Sequence, residues 1–80
     1  MSRRIPLNVP DIGDAEKIEL VGWNIKSGDS VTKDQELCEL VTEKAAFPLE
    51  CPEKGRIVSI EKKAGETVKV GDTLAFLETD

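Results

Sequence analysis

The sequence repeats itself when it is shifted by 37 residues, the distance from Gly28 to Gly65. Both copies then follow one plan: a β-rich run, a basic residue, a Gly-acid turn, a valine, a second turn and a last β-rich run. Tandem arrays need about three or more units to bury a continuous core. Two copies in one short chain therefore predict two halves that face each other across a pseudo-two-fold axis. The matched pairs include Val21 with Val58, Lys26 with Lys63, Val31 with Val68, Leu37 with Leu74, Leu40 with Leu77 and Thr42 with Thr79.

Apolar residues recur at a spacing of two, which is the period of a β-strand. Ile5, Leu7 and Val9 alternate in this way, and glycine-containing or polar turns interrupt the chain too often for a helix of ordinary length. The sequence therefore predicts an all-β fold for a single domain, 1–80, as a flattened barrel or sandwich of about eight short strands. The predicted strands cover 5–9, 18–25, 36–42, 56–60 and 73–77, with a further strand after the turn around Lys44.

The charge balance and the missing residue types exclude several functions. A formal net charge of −5, without a basic stripe or an aromatic platform, argues against nucleic-acid binding. No apolar run approaches the roughly 20 residues that span a bilayer, so no membrane partner is expected. We expect the chain in the cytoplasm, or in the mitochondrial matrix if its source is eukaryotic. It has no His and no Tyr, and no paired acid and base can be located, so it is not expected to be an enzyme.

Lys44 stands where the first half has to turn back, between Glu43 and Ala45. Most turn lysines are only solvated, so a lysine there would mean little by itself. The pseudo-symmetry makes it more informative, because it places the 43–45 tip at one end of the molecule and the matching position, after Asp80, at the other. We therefore expect Lys44 to be an attachment point at this tip.

Motifs along the whole chain resemble the lipoyl domain of 2-oxo acid dehydrogenase complexes, in the biotinyl/lipoyl-attachment family. They are Val-Pro-Asp-Ile-Gly at 9–13, Gly-Asp-Ser-Val at 28–31, Glu-Lys-Ala at 43–45, Pro52 and Gly55 after the tip, and Gly-Glu-Thr-Val at 65–68. The usual tip of the family is Asp-Lys-Ala, so Glu43 keeps the charge and adds a methylene. Pro48 is a second departure. Since proline cannot donate to a strand ladder, the strand after the tip is expected to be an edge or to be distorted there.

The resemblance implies a non-catalytic carrier with lipoate joined to Lys44 as an amide and flanked by Glu43 and Ala45. A lipoate ligase or lipoyl transferase would attach the group. The arm would then carry acyl groups and electrons between a thiamin-diphosphate 2-oxo acid decarboxylase, an acyltransferase catalytic domain and dihydrolipoyl dehydrogenase. In the family, the loop after the first strand lies beside the tip and helps the decarboxylase to recognise its carrier. The resemblance therefore assigns partner recognition to Asp14, Ala15 and Glu16.

Within this family, the opening at 9–13 resembles the pyruvate branch, so pyruvate is the expected 2-oxo acid. The chain is then either a fragment of a dihydrolipoyl acyltransferase or a free-standing carrier. Two other functions stay open. A biotin carrier also modifies a hairpin lysine, but that family flanks the lysine with methionines, where this chain has Glu43 and Ala45. An unmodified structural or adaptor module on the same scaffold is the other alternative.

Cys38 and Cys51 fit no metal-site spacing, and the chain has no His to complete a zinc site. No metal is therefore expected. A hairpin that turned symmetrically about Lys44 and Ala45 would place Cys38 opposite Cys51. In a reducing cytosol we nevertheless expect free, largely buried thiols rather than a disulfide.

Overall fold

The structure is a computed structural model that describes residues 3–11 and 17–79. Within these residues the regular structure is entirely β, as predicted, and no helix has the length and apolar character needed to cross a membrane. The strands are β1 (Arg3–Asn8), β2 (Ile18–Trp23), β3 (Ser30–Val31), β4 (Glu36–Val41), β5 (Ala46–Glu50), β6 (Gly55–Ile60), β7 (Thr67–Val68) and β8 (Thr73–Thr79).

The eight strands form two four-stranded antiparallel sheets that pack as a sandwich. One has the strand order β5-β4-β2-β7, and we call it the tip sheet because it contains the β4–β5 hairpin. The other has the order β1-β8-β6-β3, and we call it the back sheet. The predicted strands correspond to β1, β2, β4, β6 and β8, and their ends differ from the prediction by at most two residues.

The 37-residue repeat of the sequence is also a repeat of the fold. Strands β2, β3 and β4 begin at 18, 30 and 36, and strands β6, β7 and β8 begin at 55, 67 and 73. The turns match as well, since Gly28 and Gly65 have φ of 95° and 92°, and Asp34 and Gly71 have φ of 70° and 90°. Exchanging β1 with β5, β8 with β4, β6 with β2 and β3 with β7 converts the order of one sheet into that of the other. This confirms the pseudo-two-fold relation between the halves.

The core divides into two clusters that the same relation connects. The tip cluster comprises Val9, Ile18, Leu20, Cys38, Leu40, Val68 and Leu74. The back cluster comprises Leu7, Ile25, Val31, Leu37, Cys51, Ile57, Ala75 and Leu77. Trp23 packs against both clusters, and its indole Nε1 donates to the carbonyl oxygen of Lys62 at 2.8 Å.

The tip lies at the opposite end of the sandwich from Thr79. Strand β4 runs toward the tip and β5 runs away from it, so Gly55, which follows β5, is at the far end. There Arg56 pairs with Glu78, and Thr79 pairs with Arg3. The hairpin tip is therefore remote from the last described residue, as the pseudo-symmetry predicts.

The two sheets differ in charge. The strands of the tip sheet contain four exposed glutamates and no Lys or Arg, whereas those of the back sheet contain three Arg and one Glu. The glutamates are Glu19, Glu36, Glu39 and Glu50, and the back-sheet residues are Arg3, Arg4, Arg56 and Glu78.

Candidate functional site at the tip of the β4–β5 hairpin

The β4–β5 hairpin turns over residues 42–45. Val41 pairs with Ala46, and the amide of Thr42 donates to the carbonyl oxygen of Ala45 at 2.7 Å. The two residues that form the turn itself are therefore Glu43 and Lys44.

The sequence-based register of this hairpin, which placed Cys38 opposite Cys51, was wrong by two residues. Cys38 instead lies opposite Leu49. The reason is that the turn closes between Thr42 and Ala45, one residue earlier on each strand than a turn centred on Lys44 and Ala45 would have. A slip of two residues keeps every side chain on the same face of the sheet, so the buried set is the one that the alternation predicts.

Lys44 is exposed at the outer end of the turn, and so are Glu43 and Ala45. The one ion pair found in 3–11 and 17–79 joins Arg3 to Glu53, at the other end of the sandwich. Within those residues the Lys44 ammonium group is therefore not held by a carboxylate. An exposed primary amine in this position can be approached by a modifying enzyme, and a group attached to it can move without displacing protein contacts.

Thr42 organises the turn through its side chain. Its hydroxyl oxygen accepts hydrogen bonds from the amides of Lys44 and Ala45, both at 3.1 Å. The hydroxyl also donates to the carbonyl oxygen of Ala45 at 3.3 Å. Sequence reasoning did not single this residue out as part of the site. A signal was available, because threonine hydroxyls in turns commonly bind backbone amides two or three residues further along the chain.

The hairpin stands on a packed support. Strand β4 is an inner strand between β2 and β5, and Leu40, close to the turn, is fully buried with Ile18 and Leu20 in the tip cluster. Phe47 covers the same cluster from β5. The backbone beneath the turn is therefore held by burial, while the Lys44 side chain projects into solvent.

Pro48 lies on the free edge of the tip sheet, as its missing amide hydrogen predicts. Strand β5 is the outermost strand on that side. Hydrogen-bonded and non-bonded pairs alternate along an antiparallel ladder. Since Thr42 bonds to Ala45, the pair formed by Pro48 and Glu39 is a non-bonded one. The proline nitrogen therefore faces outward, where no ladder bond is lost.

The loop residues Asp14, Ala15 and Glu16 lie outside the described residues, so their role in partner recognition stays a prediction. The chain is described again from residue 17, just before β2. Glu19 pairs with Val41, directly below the turn. The end of this loop therefore meets the sheet beside the tip.

Cys38 and Cys51 are both free and buried, as expected, and they belong to different core clusters. Burial raises the pKa of the Cys38 thiol to about 12, and burial also raises the pKa of Cys51. Thiols held neutral in this way are poor nucleophiles and poor metal ligands. Among the described residues, no group of three or more Cys, Asp or Glu is arranged to hold a metal ion.

The burial of Cys38 predicts a loss of stability in alkaline solution. The unfolded thiol ionises near its ordinary pKa of 9.0, whereas the folded thiol stays protonated up to about 12. This contribution to the free energy of unfolding is therefore intact below about pH 9 and falls by about 1.4 kcal/mol per pH unit from there toward pH 12. Urea unfolding at about pH 8 and about pH 10.5 measures the loss.

The matched control for this measurement is Cys38→Ala, because the repeat-related position holds Ala75. The variant lacks the ionising thiol, so it should lose less stability than the native chain over the same interval. Equal losses in the two proteins would show that Cys38 is not the group responsible.

Comparison with known proteins identifies relatives of this chain. The sequence model of the biotin/lipoyl family, described as "Biotin-requiring enzyme", matches residues 5–77. The chain is 39% identical over 75 residues to the lipoamide acyltransferase component of a branched-chain alpha-keto acid dehydrogenase complex from Pseudomonas aeruginosa. It is also 39% identical over 74 residues to the dihydrolipoyllysine-residue acetyltransferase component of the pyruvate dehydrogenase complex from the same bacterium.

Each match covers 92% of this chain, but only 18% of the first relative and 13% of the second. Among solved structures, the lipoyl domain of the 2-oxoglutarate dehydrogenase complex from Azotobacter vinelandii is similar, with a TM-score of 0.77 and 25% identity. That match covers 95% of this chain and 96% of the other. The similarity in structure therefore extends over one whole domain, whereas the chain spans less than a fifth of the length of the two curated relatives.

Proposed function

The chain belongs to the family of biotin- and lipoyl-attachment domains, and from this membership we propose that it is a lipoyl carrier domain whose lipoate is attached to Lys44. The observation that carries the proposal is the place of Lys44 in the structure. It is an exposed residue of a two-residue turn, without an ion pair among the described residues, on a hairpin held by a packed core. The relatives named for lipoamide and dihydrolipoyllysine support lipoate as the attached group.

In this role the domain positions the attached lipoyl group and performs no catalysis of its own. Attached lipoate would supply the dithiolane that accepts acyl groups and electrons. The amide bond to Lys44 removes the charge of the ammonium group, and the turn keeps the attachment point outside the sandwich. Tethering makes each meeting with an active site intramolecular, with an effective concentration on the order of millimolar for a short flexible link.

We propose partners of two kinds, an enzyme that attaches lipoate and the components of complexes like those for which the relatives are named. They are a lipoate ligase or lipoyl transferase, a thiamin-diphosphate 2-oxo acid decarboxylase, an acyltransferase catalytic domain and dihydrolipoyl dehydrogenase. Glu43 and Ala45 are the exposed neighbours of Lys44 that such enzymes would meet beside the amine. Asp14, Ala15 and Glu16 are proposed to contribute to recognition by the decarboxylase.

We further propose that the 2-oxo acid is pyruvate. This proposal rests on the opening Val-Pro-Asp-Ile-Gly at 9–13, while relatives at the same identity serve branched-chain and pyruvate complexes. Rates of reductive acylation of the lipoylated domain by a pyruvate decarboxylase component and by a branched-chain one distinguish the two. A faster reaction with the branched-chain enzyme would replace pyruvate and leave the carrier role intact.

The carrier role is tested by modification of the folded domain. The purified chain is incubated with a lipoate ligase, lipoic acid and ATP, and in parallel with a biotin ligase, biotin and ATP, and each product is weighed by intact mass spectrometry. We expect one lipoyl adduct and no biotinyl adduct, because the tip lacks the methionines that flank a biotinylated lysine. A biotinyl adduct alone would make the chain a biotin carrier. No adduct in either reaction would favour an unmodified adaptor.

A further inference from the structure

The turn at the tip lacks the backbone conformation that two-residue hairpin turns usually adopt. Such turns are usually of type I′ or II′, with positive φ at one or both central residues, provided by Gly, Asn or Asp. In the part of the chain that the structure describes, positive φ is confined to Asp34 and three glycines. Neither Glu43 nor Lys44 therefore has it, and the backbone alone does not close the turn in the usual way.

The side chain of Thr42 provides the missing closure. In an ordinary two-residue turn, the amide of the fourth residue bonds to the backbone carbonyl of the first. Here the Ala45 amide bonds to the Thr42 hydroxyl at 3.1 Å, and the same oxygen accepts the amide of Lys44. The Thr42 hydroxyl group thus forms three hydrogen bonds within the turn.

The repeat supplies an internal comparison for this residue. Thr79 occupies the position that matches Thr42, 37 residues further on. Its side chain is 3% exposed, and its Oγ1 has no hydrogen-bond partner among the described residues. The two hydroxyl groups therefore differ in their surroundings, and the bonds at the tip are made to the amides of Lys44 and Ala45 in the turn.

We infer that Thr42 is a positioning residue for the modification of Lys44. This inference rests on the proposed function of Lys44 as the lipoyl acceptor. Thr42 holds the amides of Lys44 and Ala45 against the end of β4, so the lysine leaves the turn in one direction. Without the hydroxyl, both amides turn to water and the turn populates other conformers. Only the fraction of molecules with the lysine correctly presented is then a substrate, and the apparent efficiency of modification falls with that fraction.

The experiment compares Thr42→Val, which keeps the shape and removes the hydroxyl, with Thr42→Ser, which keeps the hydroxyl. Thr79→Val is the control, because it makes the same change at the matching position, where the hydroxyl has no hydrogen-bond partner in 3–11 and 17–79. For each folded domain, kcat/KM is measured with a lipoate ligase, lipoic acid and ATP. Amide hydrogen exchange at Lys44 and Ala45 is measured by NMR in the unmodified protein.

For Thr42→Val we expect faster exchange at both amides and kcat/KM lower by about tenfold, the effect of losing the three weak hydrogen bonds of one hydroxyl group. Thr42→Ser should restore both quantities to within about twofold of the native chain, and Thr79→Val should leave both unchanged. Native kcat/KM in Thr42→Val, with the native domain lipoylated, would overturn the positioning role. A similar fall in Thr79→Val would show a general loss of stability instead. Absence of lipoylation in the native domain would overturn the proposed function, and the exchange rates would still report whether Thr42 closes the turn.

Discussion

The Lys44→Arg variant is expected to accept no lipoyl group, so its adduct in intact mass spectra should fall to background. The guanidinium group stays protonated at any accessible pH and has no free amine with which to form an amide. The loss should not come from unfolding, because Lys44 is exposed and its ammonium group has no ion pair among the described residues. We expect the free energy of unfolding to change by less than about 0.5 kcal/mol.

Lys33→Arg is the matched control for this substitution. Lys33 is also exposed in a tight turn that begins at a threonine, because the amide of Gln35 donates to the carbonyl oxygen of Thr32 at 3.2 Å. This variant should take up one lipoyl group at the native rate. An adduct on Lys44→Arg would refute the assignment of the site. Loss of the adduct in Lys33→Arg as well would show that replacing a lysine outside the tip also blocks the ligase, so that the result for Lys44→Arg would not identify the acceptor.

Adding a single methyl group at Gly55 is expected to destabilise the fold by about 3 kcal/mol. A Cβ at this position would overlap the backbone carbonyl oxygen of Glu78 and approach Cδ1 of Leu77 at 3.1 Å. Gly55 begins β6 where that strand lies against β8. Because the obstructing oxygen belongs to a strand backbone, relief requires a shift of β6 relative to β8, and Leu77 is fully buried in the back cluster. The midpoint and slope of urea unfolding of Gly55→Ala measure the cost.

Gly22→Ala is the control for this prediction. Gly22 lies in β2, no heavy atom within 4 Å would obstruct a Cβ there, and its φ is not positive. Its replacement by alanine should change the free energy of unfolding by less than about 1 kcal/mol, because only the entropy of the unfolded chain is affected. If the two alanine variants had equal stability, the close approach at Gly55 would not limit the fold.

Most of the architecture was predictable because the repeat and the alternation of apolar residues indicate the same positions for the strands. The shift of 37 residues relates the starts of β2, β3 and β4 to those of β6, β7 and β8. It also identifies Gly28 and Gly65 as equivalent turn residues, and both have positive φ in the structure. Lys44 was placed correctly in the turn by the same reasoning. Many residues of each repeat contribute to these patterns, so a single residue that differs between the two repeats does not obscure them.

Details decided by one or two atoms were not predictable in this way. The hairpin register differed because the hydroxyl of Thr42 closes the turn, which apolar periodicity does not report. Strands β3 and β7 have two residues each, too few for any period to be visible. The tight packing at Gly55 depends on a carbonyl group 23 residues away, at Glu78, and a sequence pattern contains no such distance.

Acylation of Lys44 would increase the difference in charge between the two sheets. Amide formation would change the formal net charge from −5 to −6, and it would remove the one cation from the β4–β5 hairpin, whose strands hold Glu36, Glu39 and Glu50. The arginines of the back sheet would remain. The tip sheet of the loaded carrier would then face a less compensated negative charge, and the field of a cationic surface would turn that sheet toward it during diffusion. Such orientation weakens as salt shortens the Debye length, so loading itself would prepare the domain for its next encounter.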